Sequence, residues 1–315
     1  MPVKRPTAVP PPLAEVVKVG RLVRDADGGA AAVRYEHPNG KLFVGDSVAW
    51  LKSLPDASVD LVFADPPYNL DKADWDSFES QQHYVDWSMT WIAEAARVLK
   101  DTGSMYVCGF SEVLADLHHP ASRHFHAARW LIWHYRNKAN LGRDWGRSHE
   151  SILHLRKSAA FRLNVDAVRV PYGEHTLKYP SHPQALSSHF ANGKARDEAW
   201  TPHPRGAKPK DVFEIPTTCN GMNEKTPHPT QKPEELLRKL VLAASSPGDV
   251  VIDPFSGSGT TAVVAEQLGR RWAACDLSEE YTAWAIRRIE GVRRMSVDEW
   301  IAQDRAVAAR RERIR

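Results

Sequence analysis

The chain has 315 residues, 42% hydrophobic and 26% charged, with a net charge of +3. That composition excludes a disordered or fibrous chain and fits one large domain or two small ones, and the mild positive charge permits a polyanionic partner without requiring one. Cys108, Cys219 and Cys275 stand far apart with no CxxC pair, no apolar h-region follows Lys4 and Arg5, and no apolar run could span a bilayer; a disulfide framework, a secretory leader and a membrane span are not expected, and a reducing cytoplasm is.

In chain order, residues 1–12 ("MPVKRPTAVPPP") read as a disordered, proline-rich tail. "KLFVGD" (41–46) reads as a strand ending at an acid, and "VDLVFAD" (59–65) as an apolar strand that also stops at an acid, before two prolines and a tyrosine. Helical spacing over "YVDWSMTWIAEAARVLK" (84–100) puts Trp87 and Trp91 on one core-facing side. "GSMYVCG" (103–109), "RWLIWHYR" (129–136) and "ESILHLRK" (150–157) read as further strands. Strands alternating with helices predict a doubly wound, mainly parallel sheet covered on both faces.

The texture changes from about Ser158 to Lys225, where periodicity fades and Pro, His, Gly, Lys and Arg accumulate. Such a stretch is too long for an ordinary loop and predicts a small folded insertion. After it come a helix over "PEELLRKLVLAAS" (233–245), a strand, glycine turn and helix over "DVVIDPFSGSGTTAVVAEQLG" (249–269), a strand "RWAACD" (271–276) and a helix "EEYTAWAIRRIE" (279–290). Arg-rich "RAVAARRERIR" (305–315) reads as a solvated helical tail.

The glycine turn carries nucleotide chemistry. Gly257, Gly259 and Ala262 fit G-x-G-x-x-A, where glycines let the backbone turn tightly and approach a ligand beside a helix N-terminus. Asp276, ending the next strand, stands where an acid bonds ribose hydroxyls. "GSGTT" lacks the lysine of a P-loop, which disfavours ATP hydrolysis. A nicotinamide oxidoreductase would explain the turn, but only one more strand follows it, so earlier strands must complete the sheet; the order looks circularly permuted.

"ADPPYN" followed much later by "HPTQKP" and "PGDVVIDPFSGSGTTAVVAEQLGRRWAACDLSEEY" resembles the amino-methyltransferases of DNA in their permuted, β-group order. The resemblance covers roughly Lys41 to Glu290. It implies a seven-stranded methyltransferase sheet, with 13–157 as catalytic half, 158–225 as target-recognition region, 226–292 as cofactor half and 293–315 as basic tail. It implies S-adenosylmethionine as cofactor and double-stranded DNA as substrate. A cognate restriction endonuclease is a further possible partner, and either a monomer or a homodimer is compatible. By the same resemblance Asp65, Pro66, Pro67 and Tyr68 match the catalytic motif, and Phe255, Ser256, Gly257 and Gly259 the cofactor loop. Asp253 is similar to the acid at the methionine end, Asp276 to the ribose acid and Asp46 to the acid near adenine. Thr230 and Lys232 of "HPTQK" match the segment capping the methionine carboxylate, and residues 133–157 the strand pair lining the base pocket, with Tyr135 as candidate aromatic. "DPPY" resembles the adenine-N6 members, while cytosine-N4 members more often begin the motif with Ser; both amines offer the same donor pair, so both stay open.

The chemistry explains the motif. An exocyclic amine conjugated to a nucleobase is a poor nucleophile, and two fixed acceptors for its N–H groups let the nitrogen pyramidalise. Asp65 can be one and the Pro66 carbonyl the other, braced by the proline rings. Tyr68 can stack on a base flipped out of the duplex. A cysteine mechanism at cytosine C5 would need Pro-Cys, and no cysteine here follows proline. His118, His119, His124 and His126 lack framing cysteines or carboxylates at zinc spacing, so no metal site is expected. Asp74 and Trp75 are expected on a mobile loop over the site, and Lys194, Arg196, Arg205, Lys208 and Lys210 are candidate DNA contacts. A DNA-binding protein without catalysis is the remaining rival.

Overall fold

Asp46, Ser80 and Ser278 each sit just ahead of a helix and accept a backbone N–H of its first turn, from Ala49, His83 and Tyr281 at 2.8, 3.1 and 3.2 Å. Such caps fix where each of these helices begins. The computed structural model describes residues 21–22, 31–69, 77–136, 143, 145–180, 201–293 and 295–313. The elements are β1 (Arg21–Leu22), β2 (Ala31–His37), β3 (Gly40–Gly45), α1 (Ser47–Ser53), β4 (Val59–Ala64), α2 (Gln81–Val98), β5 (Leu99–Gly109), α3 (Ser111–Ala121), β6 (Ala127–His134), β7 (His149–Arg156), α4 (Glu174–Lys178), β8 (Val212–Glu214), α5 (Glu234–Ala244), β9 (Val250–Asp253), α6 (Thr260–Gln267), β10 (Arg271–Asp276), α7 (Glu279–Glu290) and α8 (Val297–Arg313).

Among the described residues ten strands form one sheet, in the order β1-β2-β3-β10-β9-β4-β5-β7-β6-β8. The expected seven are the central strands from β3 to β6; β2 and β1 lengthen one edge and β8 the other. This corrects the strand count. The sequence of β2 is a mixed polar run that carries no clear strand signal, and β8 has only 3 residues. The pairs β3–β10, β10–β9, β9–β4 and β4–β5 are parallel, whereas β7 runs antiparallel to both β5 and β6. The late strands β9 and β10 lie between the early strands β3 and β4. That interleaving is the permutation expressed in three dimensions.

All six residues of β4 are buried, as a central strand covered on both faces requires. Alternate residues serve opposite faces: Val62 and Ala64 join a core with Trp50, Trp91, Ile92, Leu114 and Leu117 of α1–α3. Asp60, though within β4 and only 4% exposed, accepts from Lys100 Nζ at 2.7 Å and Val250 N at 2.9 Å. Its buried charge is thereby satisfied, and it ties β5 and β9 to β4. Trp91 is a fully buried core residue, but Trp87, expected beside it, is only half-buried.

The described chain divides into two compact units. One comprises residues up to Leu163 together with Asp211–Val297, and the other Asn164–Lys210 with Asp298–Arg315. In the second, Asp166 pairs with Arg169 and Arg205, and Val170 bridges to Ala207. The expected tail at 1–12, the loop bearing Asp74 and Trp75, and Lys194 and Arg196 lie outside the described residues. His118 and His119 lie in α3, and no metal-holding cluster occurs among the described residues.

Candidate active site

Four neighbouring parallel strands, β3, β10, β9 and β4, each deliver an aspartate at or just beyond their C-terminal end: Asp46, Asp276, Asp253 and Asp65. Ligands of open α/β sheets bind outside the carboxyl ends of the strands. A cavity of about 330 Å³ lies there, lined by all four aspartates, by Phe255–Ser258 of the glycine turn and by Thr230 and Lys232. The glycine turn, some 190 residues after the DPPY motif, thus faces the same space as that motif and the strand-end acids.

The turn is shaped by its glycines. Gly257 and Gly259 have φ of 50° and 77°, in the left-handed region. A Cβ on Gly257 would stand 2.9 Å from His228 Nε2, and one on Gly259 2.5 Å from Ala285 Cβ. Asp253 Oδ1 accepts from Phe255 N at 2.9 Å and Oδ2 from Thr261 Oγ1 at 2.6 Å. Asp276 accepts from Gly257 N at 2.7 Å and Ser278 N at 2.9 Å. Phe255 pins the turn to α2, its ring centroid 5.8 Å from Trp87 and 5.2 Å from Trp91. Trp87 and Phe78, which the sequence did not mark as site residues, therefore form part of the cavity wall. Trp87, at helical spacing in α2, reads equally well as core, and Phe78 lies in the segment before α2, where no pattern marks it.

Beside Asp65 stands a buried ionic group. Lys232 Nζ donates to Asp65 Oδ2 at 2.6 Å and lies 3.4 Å from Glu150 Oε2. Tyr68 OH donates to Asp65 Oδ1 at 2.5 Å and is 3.2 Å from the same Glu150 oxygen. The Lys232 ammonium, expected at the methionine carboxylate, is thus engaged by the catalytic motif. Tyr68, expected to stack on a flipped base, is buried with its ring centroid 5.2 Å from that of Phe110. Pro66 is also buried, while Pro67 lines the cavity. Tyr135 is buried against Trp133 and does not reach the cavity. Asn69, closing the motif, has φ of 57° and accepts from Phe78 N at 3.0 Å, so the chain turns sharply after Tyr68. Glu150 went unmarked because an acid opening a strand is an unremarkable sequence feature.

Burial by itself would pull the Lys232 ammonium down, but Asp65 and Glu150 outweigh it and hold it above its ordinary range. Burial, then Asp65 and Glu150, push the Tyr68 phenol well up. Burial pushes the Cys108 and Cys275 thiols up, so neither is a ready thiolate. Burial pulls His228 down to about 4, leaving a neutral ring against Tyr281. Burial raises the Asp253 carboxyl to about 7, opposed by the Thr261 and Phe255 bonds, and the Asp276 carboxyl to about 6.

These shifts set a pH dependence. Between pH 3.8 and about 7 the folded state holds a proton on Asp253 that the unfolded chain has released, so this group lowers stability as pH rises through that window. Asp276 acts in the same direction up to about 6, and neutral His228 acts oppositely between about 4 and 6.5. Asp253→Asn removes the first contribution. Measured by urea denaturation at pH 5 and pH 7.5, the variant should gain about 2 kcal/mol relative to wild type on going to the higher pH. An unchanged difference between the two pH values would mean that Asp253 is ionised throughout.

A doubly wound, permuted sheet with a glycine turn and a strand-end DPPY motif facing one cavity defines a nucleotide-cofactor methyltransferase. The N6/N4 methyltransferase family, described as DNA methylase, matches residues 59–287, and the chain belongs to that family. It is 33% identical over 275 residues to the DNA adenine methyltransferase YhdJ of Escherichia coli K12, covering 86% of this chain and 90% of the relative. It is 35% identical over 240 residues to the type II methyltransferase M1.MboII of Moraxella bovis, covering 74% and 89%. The fold matches that of the cytosine-N4-specific PvuII DNA methyltransferase at a TM-score of 0.60 and 20% identity, covering 85% and 92%. The chain is an S-adenosylmethionine-dependent DNA methyltransferase acting on adenine N6 or cytosine N4. Its cavity suits that cofactor: three carboxylates and an aromatic ring line the glycine-turn side, and the Ser256 hydroxyl there is buried without a hydrogen-bond partner among the described residues.

Proposed function

We propose that the enzyme methylates adenine N6 at a specific duplex sequence, with Asp65 and the Pro66 carbonyl as the two acceptors of the target amine. The observation that carries this reading is the single cavity shared by Asp65 and the glycine turn. Bound there, S-adenosylmethionine supplies an electrophilic methyl group. Asp276, Asp253 and Asp46 hold its ribose, methionine amine and adenine ends, with Thr230, Phe255, Ser256, Gly257 and Gly259 completing the cradle. Asp65 accepts one N–H of the amine, and its charge favours the cationic transition state. Pro66, with φ locked by its ring, presents its carbonyl to the second N–H. The target base is flipped into the pocket, and Tyr68 borders it. Asn164–Lys210, with exposed Lys208 and Lys210, supplies DNA contacts; Arg205, paired with Asp166, braces that unit.

Adenine is favoured because the motif begins with Asp and because the relatives include a named adenine methyltransferase. A type II relative supports a restriction–modification setting with a cognate endonuclease. We place the enzyme in the cytoplasm, as a monomer or homodimer; no helix among the described residues is long and apolar enough to cross a membrane. Expression in methylation-free cells followed by modification-detecting sequencing tests the reading. N6-methyladenine at one recurrent motif is expected. N4-methylcytosine would move the assignment to the other amine, and unmodified DNA would defeat it.

A further inference from the structure

Lys232 is a buried ammonium with an unusual neighbour, since its closest contact is the acid expected to receive the target amine. Burying a lysine is costly unless partners neutralise it. Two carboxylates do so here, Asp65 from the end of β4 and Glu150 from β7, and the trio keeps one net negative charge. Packing alone would be satisfied by one carboxylate. The backbone fixes the lysine from behind: Thr260 Oγ1 donates to the Lys232 carbonyl at 3.2 Å, and Gln231 holds the preceding loop through Thr226 N at 2.8 Å and the Glu224 carbonyl at 2.7 Å.

An ammonium has three hydrogens. One is given to Asp65, and a second faces Glu150. Among the described residues the third has, apart from the Tyr68 ring with its centroid 5.4 Å away, only the Thr230 carbonyl at 3.5 Å, the outer limit of a hydrogen bond. Asp65 Oδ2 and Lys232 Nζ, 2.6 Å apart, therefore present an acceptor and a donor side by side. That is the complement of an amine next to an unprotonated ring nitrogen, an edge shared by adenine and cytosine. Thymine, and guanine on its O6–N1 edge, present a carbonyl beside a protonated ring nitrogen, the reverse arrangement, which would set acceptor against acceptor and donor against donor.

We propose that Lys232 donates a hydrogen bond to the ring nitrogen beside the target amine, and that Glu150 is the positioning residue that aims it. The inference rests on the assignment of Asp65 as acceptor of the target amine. Lys232 reads the amino–imino edge as a class and thereby excludes thymine and the O6–N1 edge of guanine from the pocket.

The test uses the full-length enzyme, tritiated S-adenosylmethionine and a duplex carrying the sequenced methylation motif, in single-turnover assays. The target base is natural or has the ring nitrogen beside the amine replaced by CH: 1-deazaadenine for an adenine target, 3-deazacytosine for a cytosine target. Wild type should methylate that analogue about 10- to 100-fold more slowly than the natural base, the worth of a hydrogen bond to a charged group. Lys232→Met should be slow on both, with their ratio close to 1, and Glu150→Gln should lower the ratio in the same direction. A lysine that merely stabilises the fold would leave the ratio unchanged in both variants, overturning the proposal. If Lys232→Met does not fold, as judged by circular dichroism, the wild-type analogue ratio decides alone: equal rates on natural and analogue duplexes overturn the proposal. A wild type that fails on the natural duplex would defeat the underlying assignment as well, a result distinct from natural activity with no analogue effect.

Discussion

Replacing Asp65 with alanine should reduce methyl transfer by about 10³-fold while duplex binding stays within a few-fold of wild type. The carboxylate stands at the C-terminal end of β4, and its two oxygens are held in place by Tyr68 OH at 2.5 Å and Lys232 Nζ at 2.6 Å. Each oxygen retains acceptor capacity, so a fixed site for one amine hydrogen is available without rearrangement. Removal of the group deletes that acceptor and a full negative charge from the place where positive charge develops. It also leaves the buried Lys232 with Glu150 alone, so some loss of stability is expected. Asp65→Asn keeps the shape and separates the two effects: its melting temperature should stay nearer wild type, with activity still depressed by about 10²-fold or more. Single-turnover transfer of labelled methyl and a gel-shift titration measure the two sides. Near-normal transfer by either variant would remove Asp65 from the mechanism.

Gly259→Val should lower stability by about 2–5 kcal/mol and abolish cofactor binding at ordinary concentrations. Gly259 starts α6 with φ of 77°, and any Cβ there would stand 2.5 Å from Ala285 Cβ of α7. A β-branched side chain adds left-handed strain to a clash between two packed helices, and neither can yield without moving the turn. Thermal denaturation should show a fall of roughly 5–15 °C, and calorimetric titration with S-adenosylmethionine should show no heat of binding. Gly257→Ala should be milder in stability, because its Cβ meets only the edge of the His228 ring at 2.9 Å, and should act chiefly on cofactor affinity. Normal binding by Gly259→Val would mean that the turn does not cradle the ligand.

Much of this site was legible because its signals are local. An apolar run that stops at an acid marks a strand end, and three of the four strand-end aspartates can be read that way, at Asp46, Asp65 and Asp276; Asp253 was found through the glycine turn it precedes. The glycines are legible because φ of 50° and 77° lies in the left-handed region, which glycine enters without the Cβ penalty of other residues. Lys232 was legible as a site residue but not in its place, since nothing in "HPTQK" shows that its ammonium meets Asp65, 167 positions earlier. Tyr68 reads from the sequence as a platform for a flipped base, and the structure adds that its hydroxyl donates to Asp65 and its ring is buried.

The sequence by itself determined most of the longer strands and helices, the strand-end acids and the glycine turn, because each depends on burial period or backbone freedom within a few residues, and the chain order of the two motifs is read directly; α1, β2 and β8 carried no such signal. Only the tertiary structure decided that β9 and β10 enter between β3 and β4, which sets four aspartates in one row, and that β7 brings Glu150 to the Asp65–Lys232 pair. Those arrangements depend on pairings between residues far apart in the chain, such as Leu61 with Val251, and are decided by which strands bury each other's apolar faces.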